Sequence, residues 1–240
     1  MDYNGRYIFE KENSDNSFKY LTLNENPVEQ CLNEYDKLLE KYDREDILIL
    51  SPFNVGDCGT YAINSAIQEK YNPLHKGDRQ VEYKRSKHKI RIRKNDYVLN
   101  THNWYHALTY SQYCGDKLTS DISIMNGECG IVKDIDEDNN IIVQFDEGMV
   151  VYTFDTLCYL LLANAFTVHK AQGHQAKAVI FIFTQEHERF LHRALIYVAN
   201  SRAQEKLIEI GDISVLNNAL NIIESDNRNT LLCKLLKEGY

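Results

Sequence analysis

Hydrophobic spacing in the first third of the chain predicts a helix, a buried strand and a second helix. Residues 28–42 place apolar side chains at helical intervals, and residues 46–52 form a nearly continuous apolar run that ends at a Ser-Pro pair. Such a run is typical of a strand buried on both faces of a parallel sheet. A second helical pattern covers residues 60–71 and ends before Asn72-Pro73, and residues 6–10 have the pattern of a short strand.

The pattern changes after Met125 to short alternating strands. Residues 129–135, 141–145 and 149–154 alternate apolar and polar side chains, and turn sequences separate them. This arrangement predicts an antiparallel meander. A segment of about 30 residues is too small for an independent core. We therefore expect the meander to be part of an insert on a larger domain.

Strand and helix patterns alternate again after the meander. We predict strands at residues 160–165, 178–183 and 206–210, a helix-like segment at 168–172 and a helix at 188–203. Strands that alternate with helices favour a mainly parallel sheet with right-handed crossovers. The predicted fold class is therefore α/β, and ligands of such sheets bind at the carboxyl ends of the strands.

Composition argues against membrane, secreted and metal-binding classes. The longest apolar stretches are much shorter than the roughly 20 residues that a membrane-spanning helix needs. The first six residues show no secretion signal, so we expect an intracellular, cytoplasmic protein without a membrane partner. The six cysteines are scattered singly and the histidine spacing matches no metal motif, so we expect free thiols and no metal site.

The charge is distributed unevenly along the chain. The net charge is -8, yet residues 76–94 contain nine Lys or Arg against two acidic residues, a local charge of +7. A protein with one phosphate-facing side would show such polarity. A solvated basic hairpin is the alternative interpretation of the same stretch.

Two segments near the basic stretch have features suited to nucleic acid. Residues 51–60 follow the buried strand and contain two glycines, and the next helix begins with free N–H groups and a positive dipole end that could face a phosphate. The alternative interpretation of these residues is an ordinary turn. Asn103, Trp104 and Tyr105 follow Arg91 and Arg93, and aromatic rings beside cations can stack on unpaired bases. Packing of the insert onto the sheet is an alternative role for both rings.

Two later segments carry the most specific chemistry. Residues 163–173 read Ala-Asn-Ala-Phe-Thr-Val-His-Lys-Ala-Gln-Gly directly after a predicted strand, and Thr167 and His169 can donate hydrogen bonds to a DNA phosphate. Residues 197–203 read Tyr-Val-Ala-Asn-Ser-Arg-Ala. The guanidinium of Arg202 can bind two phosphate oxygens in a fork. The alternative interpretation of Arg202 is an ordinary cation on the surface of a helix.

Taken in chain order, these segments resemble the C-terminal motor half of superfamily 1 DNA helicases of the RecD-like and UvrD-like type. Residues 51–73 are similar to the motif IV region, 163–173 to motif V and 197–211 to motif VI. Residues 92–105, and Asn-Gly-Glu-Cys-Gly at 126–130 about twenty residues later, are similar to the stretch that enters and opens an SH3-like insert.

The chain departs from the family pattern at three places. Val55 stands where a basic residue is common, His174-Gln175 where a small residue and Glu are usual, and Ser201 where Thr is usual. The departures at Val55 and Gln175 concern positions that would contact the nucleotide.

The resemblance implies a RecA-like second motor domain, with a mainly parallel sheet and a small SH3-like antiparallel insert, in a protein of bacterial or phage type. It implies the following division: a junction segment at 1–45, the motor domain at 46–105 and 156–225, the insert at 106–155, and a C-terminal tail at 226–240.

The resemblance also implies a role for each candidate residue. Arg202 would be the catalytic arginine finger, which offsets charge that develops during transfer of the γ-phosphate. Gln172, Gly173 and Gln175 would contact the nucleotide. The residues expected to contact single-stranded DNA are Thr167, His169, Lys170, Asn103, Trp104, Tyr105, Arg91 and Arg93.

A helicase motor also needs a P-loop, G-x-x-x-x-G-K-[ST], and none of the eleven glycines here is followed by Lys. We therefore expect ATP and Mg²⁺ to be shared with a P-loop half supplied by another polypeptide, unless the gene is a truncated remnant. The chain alone is expected to be an inactive hydrolase. The family activity would be ATP-driven 5′ to 3′ movement on single-stranded DNA.

Two other functions fit the same residues. The chain would be a non-enzymatic module that binds single-stranded DNA or regulates a helicase, if it kept the DNA surface and lost the motor. A third possibility is an inhibitor that takes the place of a helicase's own second domain. An intact arginine finger is needed only for the motor.

Overall fold

The structure is a computed structural model and describes residues 16–85, 87–116 and 121–222. The helices are α1 (Pro27–Leu39), α2 (Thr60–Tyr71), α3 (Tyr110–Tyr113), α4 (Arg193–Asn200) and α5 (Ile213–Asn221). The strands are β1 (Phe18–Thr22), β2 (Ile47–Ser51), β3 (Gln80–Arg85), β4 (His88–Arg93), β5 (Tyr97–Asn100), β6 (Trp104–Ala107), β7 (Ile122–Ile124), β8 (Cys129–Ile135), β9 (Ile141–Gln144), β10 (Met149–Tyr152), β11 (Leu160–Leu162), β12 (Ala165–Thr167), β13 (Ala176–Ile182) and β14 (Ala203–Gly211). Among the described residues, no helix is both long and apolar enough to cross a membrane.

A parallel sheet in the order β1-β14-β13-β2-β12 lies between two helical layers. Alternate side chains of its central strands point to opposite faces. Ile49 and Ile180 join a core with α1 and α2, while Leu50 and Phe181 join a second core with α4 and α5. Because β2 is covered on both faces, all five of its residues are buried. The α/β fold class with a mainly parallel sheet is confirmed.

A second, antiparallel sheet has the order β10-β9-β8-β5-β11 and a hydrophobic core of its own. The hairpins β3–β4 and β6–β7 accompany it. The predicted meander corresponds to β8, β9 and β10. The sheet also includes β5 and β11, so it extends beyond residues 106–155 on both sides.

Three predicted elements differ from the structure. Residues 160–165 do not form one strand, because β11 pairs with β5 in the antiparallel sheet and β12 pairs with β2 in the parallel sheet. Residues 168–172 form a turn rather than a helix. The predicted helix at 188–203 is confined to α4. The predicted strand at 6–10 and the tail at 226–240 lie outside the described residues.

Buried polar groups fasten the antiparallel sheet to α2. The Asp96 carboxylate is fully buried and accepts hydrogen bonds from the Gln68 and Asn72 side chains and the Arg93 amide. Burial raises the pKa of Asp96, and these hydrogen bonds oppose that rise. The Arg93 guanidinium forms a bidentate pair with Glu69 of α2. The antiparallel sheet is thus fastened to α2 through a buried carboxylate and a buried guanidinium.

Candidate functional site

The candidate site lies at the carboxyl edge of the parallel sheet. Ser51 and Thr167 are register partners at the ends of β2 and β12, and the Val168 amide donates to the Ser51 carbonyl at 3.2 Å. The loop that follows β2 therefore starts beside residues 167–175, which we name the motif V turn.

Two neighbouring cavities open beside the motif V turn. One, of about 50 Å³, lies between α2, β4 and the turn, and its cationic lining residues are Lys89, Arg91 and Lys170. The other is a cleft of about 450 Å³ whose lining includes His169, Arg189, Phe190 and His192. Asn54 and Thr167 line both cavities. We name the pair of cavities the basic track.

The motif V turn is held by its own backbone. The Ala171 amide donates to the Thr167 carbonyl at 3.0 Å, and the Lys170 amide lies 3.4 Å from the Thr167 hydroxyl oxygen. His169 is exposed, whereas Lys170 is half-buried. Burial, with a smaller effect of the Arg85 charge, lowers the pKa of Lys170 to about 8. The turn therefore presents an imidazole and an ammonium group to the two cavities of the basic track.

The far end of the motif V turn is held by Arg202. Its Nε donates to the Val198 carbonyl at 3.1 Å, one terminal nitrogen donates to the His174 carbonyl at 3.2 Å, and the other donates to the Ser201 hydroxyl at 3.0 Å. Each terminal nitrogen carries two N–H groups, so each keeps one for an incoming oxygen. Arg202 is half-buried and fixed at the C-terminal end of α4.

The predicted nucleotide-contact residues lie on the same turn. Gln172, Gly173 and Gln175 are all exposed, and Gly173 adopts a positive φ of 92°. The Gln175 side chain accepts a hydrogen bond from Gln204 at 3.4 Å. These three residues flank His174, whose carbonyl Arg202 holds, and the side chains of Gln172 and Gln175 are exposed.

The aromatic hairpin β6–β7 lies apart from the basic track, since none of its predicted residues lines either cavity. Trp104 is half-buried and packs edge-on against Tyr152 with ring centroids 5.1 Å apart. Tyr105 is 58% exposed. The Asn103 side chain accepts a hydrogen bond from the Asn126 amide at 2.9 Å. Trp104 therefore has the packing role, and Tyr105 is the ring open to a ligand.

Arg91 and Arg93 of β4, both predicted to contact DNA, differ in their surroundings. Arg93 is 5% exposed and its guanidinium is engaged by Glu69, Gln80 and the Asn72 carbonyl, so it has no free face for DNA. Arg91 is exposed and shares Glu82 with Lys89.

The start of α2 is also less available to an anion than expected. The Thr60 and Tyr61 amides donate to the carbonyls of Phe53 and Asn54, at 2.9 and 3.1 Å. A Cβ at Gly59 would lie 2.6 Å from the Asn54 carbonyl oxygen, so the close turn requires glycine. The loop therefore satisfies the helix start itself.

Sequence reasoning missed three residues of the cleft. Phe190 is 58% exposed and packs edge-on against Phe53 at 4.5 Å, and Arg189 precedes it. Arg189-Phe190 is a cation beside an aromatic ring, the same signal that drew attention to the β6 hairpin. Only the fold shows that this pair faces Thr167 across one cleft.

Comparison with known protein families matches the segment of the chain that contains the motif V turn and Arg202. Residues 162–208 match the UvrD-like helicase C-terminal domain. The matched segment includes the motif V turn, α4 and Arg202. The resemblance to the C-terminal domain of UvrD-like helicases is therefore confirmed over these residues.

The matched relatives are helicases much longer than this chain. The chain is 28% identical over 191 residues to the ATP-dependent RecD2 DNA helicase of Deinococcus radiodurans, covering 80% of this chain and 23% of that protein. It is 29% identical over 90 residues to the RecBCD enzyme subunit RecD of Mycobacterium tuberculosis, covering 38% of this chain and 16% of that subunit. The chain thus spans about a quarter or less of these relatives.

Solved structures with a similar chain path include Pif1 helicases. A Bacteroides Pif1 bound to single-stranded DNA aligns with a TM-score of 0.49 and 17% identity, over 82% of this chain and 49% of that one. A Pif1 from a study of unwinding at forked duplex DNA aligns with a TM-score of 0.47 and 19% identity, over 86% of this chain and 48% of that one.

Proposed function

We propose that the chain is the second motor half of an ATP-dependent DNA helicase and acts with a P-loop motor domain on single-stranded DNA. The supporting observation is the motif V turn. Its first residues, Thr167 to Lys170, face the basic track, and the carbonyl of its His174 is held by Arg202. A single turn thus joins a phosphate-binding surface to the candidate arginine finger.

The proposed division of labour follows from the groups present. Arg202 retains two N–H groups in a fixed position, which fits an arginine finger that stabilises charge on a transferred γ-phosphate. The sequence holds no phosphate-cradling P-loop, so its residues fit only part of an ATP site. The P-loop domain would hold the phosphates and Mg²⁺, while Gln172, Gly173 and Gln175 would contact the nucleotide from this side.

The DNA surface consists of two parts in this proposal. The basic track would hold phosphates through Thr167, His169, Lys170 and Arg91, with Arg189 and Phe190 as additions. Tyr105 and Asn103 on the β6 hairpin would hold bases, and the antiparallel sheet would serve as the SH3-like insert. Arg93 and Trp104 would support this surface from behind.

A mixed ATPase assay tests the motor proposal. We expect no hydrolysis by the 240-residue chain alone and DNA-stimulated hydrolysis after addition of a P-loop motor domain from a RecD-like helicase. Arg202→Ala should lower turnover by about 10³-fold or more, since an arginine finger is worth about 10³ to 10⁵ in rate. DNA affinity of the variant should stay within about twofold, because Arg202 lines neither cavity of the basic track.

Arg202→Lys is the matched control for charge. A lysine keeps the positive charge but cannot reproduce the guanidinium fork, so it should not restore turnover. Hydrolysis by the isolated chain, or a mixture indifferent to Arg202→Ala, would contradict the motor proposal.

A non-enzymatic single-stranded DNA-binding module is the second candidate, and the basic track favours it. This function predicts salt-sensitive DNA binding without any dependence of hydrolysis on Arg202. The same mixed assay therefore separates the two functions.

A further inference from the structure

His174 connects two parts of the molecule that are distant in sequence. Its Nε2 lies 2.8 Å from the Gly127 carbonyl oxygen, in the turn between β7 and β8. A carbonyl only accepts, so Nε2 carries the proton. The backbone carbonyl of the same residue accepts the 3.2 Å hydrogen bond from Arg202. One residue therefore touches both the antiparallel sheet and the candidate arginine finger.

The Gly127 turn fits closely around the His174 ring. Gly127 has a φ of +104°, and a Cβ built there would lie 3.1 Å from His174 Cε1. The ring also packs edge-on against Phe166 of β12, with centroids 5.5 Å apart. The imidazole is therefore fixed from two sides, and a shift of the Gly127 turn would displace it.

The Gly127 turn is hydrogen-bonded to β5 and to the residue that precedes β6. The Gly127 amide donates to the Asn100 carbonyl at 2.8 Å, and the Asn126 amide donates to the Asn103 side chain at 2.9 Å. Asn103 is adjacent to β6, which carries the exposed Tyr105. A continuous path of hydrogen bonds and covalent bonds thus runs from Asn103 through Gly127 and His174 to Arg202.

We propose that His174 is a positioning residue that couples the antiparallel sheet to Arg202. This inference rests on the proposed motor function and names a route by which that function responds to DNA. Single-stranded DNA held by Asn103 and Tyr105 would set the position of the Gly127 turn. The His174 ring would follow the turn, and its carbonyl would hold Arg202 at the position suited to the γ-phosphate.

The test compares variants from both sides of the contact in the 240-residue chain mixed with the P-loop domain. His174→Ala should lower the DNA-stimulated kcat by roughly tenfold, a typical size for coupling between sites. The DNA-independent rate and the DNA Kd should change by less than about twofold. His174→Gln retains an N–H donor of similar reach and should restore part of the loss. His75→Ala, an exposed residue that lines neither cavity of the basic track, is the control and should match the unaltered chain.

Gly127→Ala approaches the same contact from the antiparallel sheet and leaves the motif V turn unaltered. It should reproduce the loss of DNA stimulation, and the double variant should be no worse than the more impaired single variant, because both changes disrupt one contact. This second variant keeps the inference testable if His174→Ala lowers the melting temperature.

The outcomes separate the inference from the function on which it rests. If hydrolysis is indifferent to Arg202→Ala, the motor proposal fails. If Arg202 is required while His174→Ala and Gly127→Ala retain full DNA stimulation, the motor proposal stands and the coupling role of His174 is wrong. An equal loss of DNA-dependent and DNA-independent rates in both variants would also contradict coupling, since it would indicate a purely structural role.

Discussion

Lys170 is the residue of the motif V turn whose charge is most sensitive to its surroundings. It is half-buried in the cavity that it shares with Lys89 and Arg91, and burial lowers its pKa to about 8. The ammonium form therefore predominates at pH 7 and is mostly lost by pH 9. A phosphate in the cavity would favour the charged form.

This pKa predicts that DNA affinity declines with alkaline pH. Between pH 7 and 9, at constant salt, the affinity of the chain for a single-stranded oligonucleotide should fall by roughly three- to tenfold, as one phosphate contact weakens. Lys170→Arg should flatten this profile, because a guanidinium remains charged throughout. Fluorescence anisotropy measures both curves, and identical pH profiles would exclude Lys170 from the phosphate contacts.

Whether an arginine of β4 is free to contact a ligand depends on tertiary packing, which the sequence pattern does not show. Arg91 and Arg93 are two positions apart on β4, so a strand pattern places them on one face. Arg91 is exposed, yet Glu69 of α2 covers Arg93. The partner comes from an element 24 residues earlier, and only tertiary packing determines which arginine it pairs with.

The basic track is a feature of several elements, because the loop after β2, α2, β4 and the motif V turn all contribute lining residues. Arg91→Glu and Arg189→Glu each replace a positive charge by a negative one, the first in the smaller cavity and the second in the cleft. Each should weaken binding to single-stranded DNA and reduce the slope of log affinity against log salt by about 0.7, the share of one phosphate on a single strand. Lys133→Glu, on an exposed lysine of β8 that lines neither cavity, is the control.

Salt titrations by anisotropy test this assignment. Binding that survives both reversals with an unchanged slope would place the DNA elsewhere on the molecule. A loss of the same size in Lys133→Glu would show that net charge, rather than the basic track, controls affinity.

The link between α2 and β4 predicts a contrasting effect at Arg93. Arg93→Ala leaves Glu69 without its partner and removes the bonds to Gln80 and Asn72. We expect the free energy of unfolding to fall by about 2 kcal/mol, the typical size for lost hydrogen bonds to a charged group, because Glu69 is half-exposed and can be solvated once Arg93 is removed. DNA affinity of the folded fraction should be unchanged. Urea unfolding measures the first quantity, and a stable variant with weakened DNA binding would reverse this assignment.

Elements with local signals could be predicted accurately from the sequence. Residues 60–71 form α2 as predicted, because Gly59 and Asn72-Pro73 mark both ends. The segment 160–165 could not be divided, since an apolar run does not show which sheet each residue joins. Motif spacing located Thr167 and Arg202, whereas Phe53, Arg189 and Phe190 of the same cleft lie in separate segments that only the fold brings together.

One buried carboxyl group should contribute to the pH dependence of the whole molecule's stability. Glu209 of β14 is 2% exposed and accepts a hydrogen bond from Asn200 of α4 at 2.8 Å. Burial raises its pKa from 4.5 to about 7, and the hydrogen bond only partly opposes this. A pKa that is higher in the folded state gives stability that is complete below pH 4.5 and is lost as pH rises to 7.

We therefore expect the free energy of unfolding to decline by about 2 kcal/mol between pH 4.5 and 7 through this group. Glu209→Gln keeps the shape and cannot ionise, so it should remove that part of the decline. Urea unfolding of both proteins at several pH values isolates the contribution of Glu209 from those of other carboxyls. Parallel curves for the two proteins would show that Glu209 does not titrate in this range.

The chain passes from β11 to β12, and so from one sheet to the other, through Ala163 and Asn164 alone. Asn64 of α2 accepts hydrogen bonds from the amides of Asn164 and Ala165, and the Ala163 amide donates to the Tyr97 carbonyl. Because the crossing is so short and the backbone amides of residues 163–165 are all hydrogen-bonded, it leaves no room for a hinge. The two sheets should therefore rotate together as one rigid body, and any rotation relative to the proposed P-loop domain would carry the basic track and Arg202 through the same angle.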